Sequence, residues 1–341
     1  MQGWQISKAG TIEKVNRIES LTDIDCVKLR ITKSLITSED IVTYLGEDKK
    51  VKFPIIPCMA AIGQINELPI DNPYFEKGTR VYVSSVKNCG NCPRCVIDKP
   101  EDCYNFVIAG KTTDGFLKDF AVANTSDIYA LPQSIRDEDA IFIEFIKLAL
   151  SAIDSLGLEK GQHVAIIGAT MLGVILSQLI IYYQGVPILI DSSEEKLELA
   201  KNSGVYYTIN TNSNVEKEVA SLTGGRMSSQ VIHVSRSGIP FDLAIKVAAP
   251  TANVVFVGFS YPDVRMSLRG MLDKRIKMFA VSTGFGNSES AINMLANKAI
   301  DLSNYNIPIT KLSNLESNFE KMSEEYKQTK SVMPIIVNMV D

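Results

Sequence analysis

Four of the six cysteines crowd into fifteen residues, as Cys89-Gly90-Asn91-Cys92-Pro93-Arg94-Cys95 followed by Cys103. Thiolates at this spacing can surround one tetrahedral Zn²⁺ with Zn–S bonds of ~2.3 Å. The two-residue intervals let successive cysteines turn back on one ion, and Gly90 and Pro93 suit the turns between them. Four protein ligands leave no position open for water or substrate, so the expected ion is structural, one per chain, and orders a loop. The same ligand type also admits an iron–sulfur cluster, or buried or reactive thiols without a metal. Cys26 and Cys58 stand alone, and there are only two histidines, His163 and His233. A His-rich catalytic metal site is thereby excluded, and any other metal chemistry must lean on sulfur or carboxylate. His233 falls inside an apolar strand pattern and is read as a strand residue rather than a proton carrier.

A second constellation is Gly168-Ala169-Thr170-Met171-Leu172-Gly173. It lies between an apolar strand at 164–168 and a helix at 172–183, where a G-x-G-x-x-G loop would cradle a pyrophosphate at a helix N-terminus. The first and third glycines are present, but Thr170 replaces the middle one, where phosphate approaches the backbone closely. A shifted loop or a hydroxyl contact would be needed there; the alternative is a domain that has lost its nucleotide. Asp191 ends the next strand and is the acid expected on the adenine ribose, favouring NAD(H) over a 2′-phosphorylated cofactor. The cofactor-binding set is Gly168, Thr170, Leu172, Gly173, Asp191 and Lys196.

The elements that must position these groups follow from patterning. The 341 residues are 45% hydrophobic and 22% charged with a net charge of −4, enough chain for two full cores and too apolar for disorder. The absence of a clustered basic face argues against a nucleic-acid partner. The start of the chain lacks a basic region followed by an apolar one, and the cysteines are not spread as in a disulfide framework, so a cytoplasmic location is expected. The apolar stretch 172–190 is interrupted by Gln178, Gln184, Gly185 and Pro187, which argues against a membrane span. Up to about residue 140 the chain reads as β-rich, with alternating strands at 27–32 and 80–86. A helix is predicted over 140–156. Strand and helix then alternate, with strands at 164–168, 186–191, 206–210, 231–235 and 254–258 and helices at 172–183, 194–203, 215–222 and 241–249. Unbroken apolar strands predict a parallel sheet covered on both faces, a doubly wound α/β domain. A helix at 314–327 and a strand at 334–339 are too small for their own core and should pack back on the first domain.

In this order the features resemble the zinc-containing medium-chain dehydrogenases, the alcohol, sorbitol and threonine dehydrogenase family, over essentially the whole chain. The matching stretches are Phe75-Glu76-Lys77-Gly78-Thr79-Arg80-Val81, Gly115-Phe116-Leu117-Lys118-Asp119-Phe120-Ala121-Val122, Leu131-Pro132 and residues 191–204. The resemblance implies a GroES-like catalytic domain from 1–147 and 291–341, carrying the cysteine lobe at 88–104, and a Rossmann domain at 148–290. It also implies a small alcohol or carbonyl substrate and a homodimer or homotetramer, for which the apolar strand 278–281 is a candidate contact.

The resemblance breaks where a catalytic zinc would sit. Thr37 stands at the family's Cys ligand and Val42 at the histidine downstream of it. Met59 and Ala60 replace the His and Glu of the family's G-H-E motif, next to Cys58. Glu144 keeps a later acidic position, although Phe145 stands where a proline is usual. A hydroxyl, a thioether and a methyl group do not make the three-ligand open site of catalytic zinc. Thr37, with Asp40 or Glu144 as relay, is therefore the catalytic candidate for a zinc-free hydride transfer; the alternative is that Thr37 only packs. Two other functions compete: a catalytically silent relative that binds a nucleotide or protein, and an ordinary zinc-dependent alcohol or polyol dehydrogenase.

Overall fold

Apolar runs such as residues 164–167, 188–190 and 254–257 become strands of one parallel sheet. In spatial order its strands are Tyr207–Asn210, Val186–Asp191, His163–Ile167, Ser228–His233, Ala248–Val257 and Lys277–Val281, all parallel. The computed structural model describes residues 1–17, 25–68, 75–234, 239–259 and 264–340. Val164, Ala165, Ile166 and Ile167 are all fully buried, as a strand covered on both faces requires. The strand order reverses between His163–Ile167 and Ser228–His233, and in such sheets ligands bind outside the carboxyl ends of the strands at that point. The fold is α/β, a GroES-like β-rich part joined to a Rossmann sheet.

The second sheet has seven strands. Ile309–Lys311, Ile335–Asn338, Cys26–Ile36, Ala60–Glu67, Arg80–Val83 and Ile128–Ala130 lie in sequence across it, and Phe120–Asn124 also pairs with Cys26–Ile36. The late strand Ile335–Asn338 runs antiparallel to Cys26–Ile36, with Ile335 opposite Ile36. The helix Leu315–Thr329 follows the same route, burying Leu315, Phe319, Met322 and Tyr326 in the core that holds Val27, Leu29 and Ile31. Burying one such side chain contributes about 1.5–3 kcal/mol.

Three predicted elements change shape, each for a local reason. The single helix over 140–156 is two, Asp137–Ala140 and Ile143–Leu156, because Phe142 takes a non-helical conformation between them. The strand over 80–86 stops at Val83, because the Ser85 N–H turns away to Glu144; Val86–Lys87 pairs instead with Val107–Ile108. The helix over 241–249 shrinks to Asp242–Val247 and a strand starts at Ala248. Its end is fixed by Lys274, whose ammonium donates to the carbonyls of Ile245, Lys246 and Ala248, each at 2.8 Å. The strand predicted over 231–235 is Ser228–His233, and Ser235 lies outside the described residues. Among the described residues no helix is long and apolar enough to cross a membrane.

Candidate functional site

The cysteine lobe gathers its four sulfurs without strain. The Sγ atoms of Cys89, Cys92, Cys95 and Cys103 all lie within 4.8 Å of one another. Cys92 is 3.5 Å from Cys95 and 4.0 Å from Cys103, and Cys103 is 3.6 Å from Cys89. A tetrahedron with Zn–S bonds of ~2.3 Å has edges of about 3.8 Å, so the set has the size that zinc requires. Backbone N–H groups are turned toward the sulfurs as well. The Cys89 amide donates to Cys103 Sγ at 3.3 Å, and the amides of Tyr104 and Cys95 pull the Cys92 thiol down to about 6. Burial pushes Cys103 up to about 11.

The nucleotide loop is shaped by its glycines. Gly168 has φ +114°, a conformation that side chains rarely adopt. A Cβ on Gly173 would lie 2.0 Å from the Gly168 carbonyl oxygen, so only glycine lets the helix Met171–Tyr182 start this close to the strand. Thr170 is the N-cap of that helix, and its Oγ1 accepts from the Gly173 N–H at 3.3 Å. The threonine thus ties up one of the amides that a phosphate would use. Asp191 accepts from the Ala169 N–H at 2.7 Å and from the Ser193 N–H at 2.9 Å, which ties the second strand to the loop.

One crevice joins the two parts of the molecule. Thr170, Leu172 and Lys196 wall it from the Rossmann side, together with Val257 and Phe259; residues 37–39 and 330–334 wall it from the other. Of the catalytic candidates Thr37 reaches this crevice, while Asp40 and Glu144 are buried and are not part of its wall; of the cofactor set, Gly168, Gly173 and Asp191 are likewise not part of it.

Thr37 and Asp40 are engaged with each other. Thr37 caps the helix Ser38–Tyr44, accepting from the Glu39 N–H at 3.2 Å and donating its hydroxyl to Asp40 Oδ2 at 3.0 Å. Asp40 Oδ2 also takes the Thr37 N–H at 2.8 Å, while Oδ1 takes the Cys58 N–H at 2.7 Å. Burial pushes Asp40 up to about 6 against these hydrogen bonds, with Glu39 adding to the rise. Cys58 itself sits at φ +71° with its thiol pushed well up by burial.

Glu144 belongs to a second sealed network that the sequence did not suggest. Its Oε1 accepts from the Tyr82 hydroxyl, from the Ser85 N–H at 2.9 Å and from Lys147 Nζ at 3.3 Å. Lys147 also donates to the Tyr82 hydroxyl at 2.9 Å and to Ser84 Oγ at 3.0 Å. Gly284 presses on the Lys147 backbone, where a Cβ would come within 2.4 Å. His233 is fully buried between Phe241 and Phe256, and burial holds its imidazole down to about 4. Sequence reasoning also missed Glu39, which reaches the crevice wall and is bound by Lys111 Nζ at 2.5 Å. The signal for Lys147 was available in its spacing from Glu144 on one helix face; the signal for Lys111, 72 residues from Glu39, was not.

Comparison with known proteins agrees with this architecture. Residues 23–133 match the alcohol dehydrogenase GroES-like domain, and residues 172–298 match the zinc-binding dehydrogenase family; together they span well over half of the chain. A zinc-type alcohol dehydrogenase-like protein of Haemophilus influenzae, itself uncharacterized, is 24% identical over 300 residues, covering 87% of this chain and 88% of that protein. Galactitol 1-phosphate 5-dehydrogenase of Escherichia coli is 29% identical over 246 residues, 71% of this chain and 70% of that protein. The crystal structure of a short chain alcohol dehydrogenase from Escherichia coli CFT073, complexed with cofactor NADH, shares the fold with a TM-score of 0.86 at 21% identity over 99% of both chains.

Proposed function

The chain belongs to the zinc-containing medium-chain dehydrogenase/reductase family, and from that premise we propose that it transfers hydride between NAD(H) and a small alcohol or carbonyl substrate, with one structural zinc and no catalytic one. The observation that carries this reading is the crevice in which the dinucleotide loop faces residues 37–39 and 330–334. NAD(H) bound there would supply the hydride chemistry, and the chain's task is to bind, orient and exclude water. Lys196, Thr170 and Leu172 would hold the cofactor from the Rossmann wall, with Gly168, Gly173 and Asp191 setting the loop that carries them.

The donor set speaks against a metal at the reacting centre. Thr37 spends its proton on Asp40, Met59 is a thioether and Ala60 has no donor. Glu144 offers one unpartnered oxygen, Oε2, while Oε1 is already met by the Lys147 ammonium. One carboxylate oxygen beside a fixed cation does not make an open zinc site. The cysteine lobe, by contrast, fits a single closed ion. A homodimer or homotetramer is part of the proposal, because the strand Lys277–Val281 forms a sheet edge with Phe279 40% exposed. So is a cytoplasmic location, where thiolate ligands stay reduced.

A second reading, a catalytically silent relative that binds a nucleotide or a protein, draws support from Thr170, which occupies the Gly173 amide itself. Fluorescence titration with NADH separates the two: saturable binding is expected, and none at millimolar cofactor leaves the silent relative. Metal analysis of protein purified without chelator should return about one zinc per chain. Two per chain would restore an ordinary zinc-dependent dehydrogenase.

A further inference from the structure

Hydride transfer to or from a carbonyl needs a proton partner for the oxygen, and the structure narrows which group it is. Asp40 holds the Thr37 amide and hydroxyl and the Cys58 amide. Glu144 is sealed against Lys147 and Tyr82. Three carboxylates wall the crevice: Glu39, Glu195 and Glu325. Glu195 and Glu325 are exposed, and Glu195 lies beside Lys196, four residues beyond the Asp191 that ends the second Rossmann strand. Glu39 is different: its side chain is 12% exposed, it sits next to Thr37 and Ser38 on the wall, and its carboxylate is held by a lysine that is 9% exposed.

On the premise that the crevice takes NAD(H), we propose that Glu39, held in place by Lys111, is the catalytic acid–base of the crevice. In the oxidative direction the alcohol O–H bond breaks and its proton passes to a Glu39 carboxylate oxygen. The carbinol C–H bond breaks with its electron pair going to NAD⁺ as hydride, and the C=O bond forms. The alcohol is oxidised and the nicotinamide reduced; carbonyl reduction runs the same path backwards. Lys111 is a positioning residue, set 3.8 Å from Asp48 on one side and 2.5 Å from Glu39 on the other. Asp40 follows it on the helix, and Lys330 lies on the same crevice wall, itself 3.8 Å from Glu47.

The test uses the zinc-loaded protein, NAD⁺ and NADH as binding probes, and a panel of short secondary alcohols, polyols and their carbonyls. Glu39→Gln should lower kcat about 100-fold with the NADH Kd within about twofold. It should also weaken NAD⁺ relative to NADH by roughly fivefold, because a carboxylate favours the cationic ring. Glu39→Asp, which keeps the charge, should retain more turnover than Gln, and Lys111→Met should lower kcat and kcat/KM alike with the NADH Kd within about twofold. Wild-type kcat in Glu39→Gln, or an unchanged NAD⁺ to NADH ratio, would overturn the proposal while leaving the cofactor site standing. A wild-type chain that binds NADH but turns over no member of the panel overturns it too. No NADH binding at all removes the cofactor reading first, and this one with it.

Discussion

The ammonium of Lys147 lies 3.3 Å from Oε1 of Glu144, three residues earlier on the same helix, and both side chains are sealed from solvent. Two buried charges are costly apart and tolerable together, since each compensates the other's lost hydration. Tyr82 and Ser84 complete the cage around the ammonium, and burial next to Glu144 pushes the Tyr82 hydroxyl well up, so it stays a donor.

Lys147→Met should therefore cost about 3–5 kcal/mol in urea unfolding, because it strands the Glu144 carboxylate. The double variant Lys147→Met with Glu144→Gln should recover most of that loss. Equal losses in the single and double variants would mean that packing at this position, rather than charge, is what matters.

Asp40 gives a pH-dependent signature. Its folded-state value near 6 lies above the ordinary 3.8, so the folded protein holds this proton more tightly than the unfolded chain does. The stability it contributes is present below about pH 4 and is lost as pH rises through about 6, a swing of up to about 3 kcal/mol. Asp40→Asn does not titrate, so its deficit relative to wild type should narrow between pH 4.5 and 7.5 in thermal melts. A deficit that stays constant with pH would contradict the assignment. Thr37→Ala, which removes the helix cap, should cost about 1 kcal/mol near pH 4 and more above about pH 6, where it also takes a donor from the Asp40 carboxylate.

Gly173→Ala should be poorly tolerated, because the new Cβ meets a backbone carbonyl oxygen at 2.0 Å and neither the strand nor the helix can give way cheaply. We expect a loss of about 2–3 kcal/mol and weaker NADH binding. Gly270→Ala is the control: its nearest neighbour is the Cγ2 methyl of Ile245 at 3.1 Å, a side-chain contact that a shift of a few tenths of an ångström relieves. Equal unfolding midpoints for the two variants would show that the loop is softer than its geometry implies.

Cys92→Ser should reduce zinc content well below one per chain and lower the melting temperature. Cys92 lies 3.5 Å from Cys95 and 4.0 Å from Cys103, so its sulfur is central to the ligand set. Unchanged metal content and stability would remove zinc from the lobe.

Much of the architecture was legible because its signals are local. Unbroken apolar runs such as residues 164–167 read as buried parallel strands, and the cysteine spacing reads as one ligand set whatever surrounds it. The glycines of the nucleotide loop were legible for the same reason. The site was harder because its chemistry depends on which side chains meet from distant segments. Asp40 looked like a free relay until its oxygens were seen to hold Thr37 and Cys58. Lys147 went unremarked in the sequence, and the approach of Tyr82 and Ser84 is what makes it an internal counter-charge. Glu39 gained its interest from Lys111, which no short-range pattern connects to it.

The pairing of Ile335–Asn338 with Cys26–Ile36 also sets an order of events during synthesis. Every strand of the Rossmann sheet lies between residues 163 and 281, so that sheet can close while the chain is still emerging from the ribosome. The other sheet must hold residues 33–36 of that strand without their last partner until some three hundred further residues have been added, although Phe120–Asn124 covers residues 26–30 of the same edge sooner. For that interval the nascent chain carries an unpaired β-edge, and it is there that chaperones and mispairing between neighbouring chains compete.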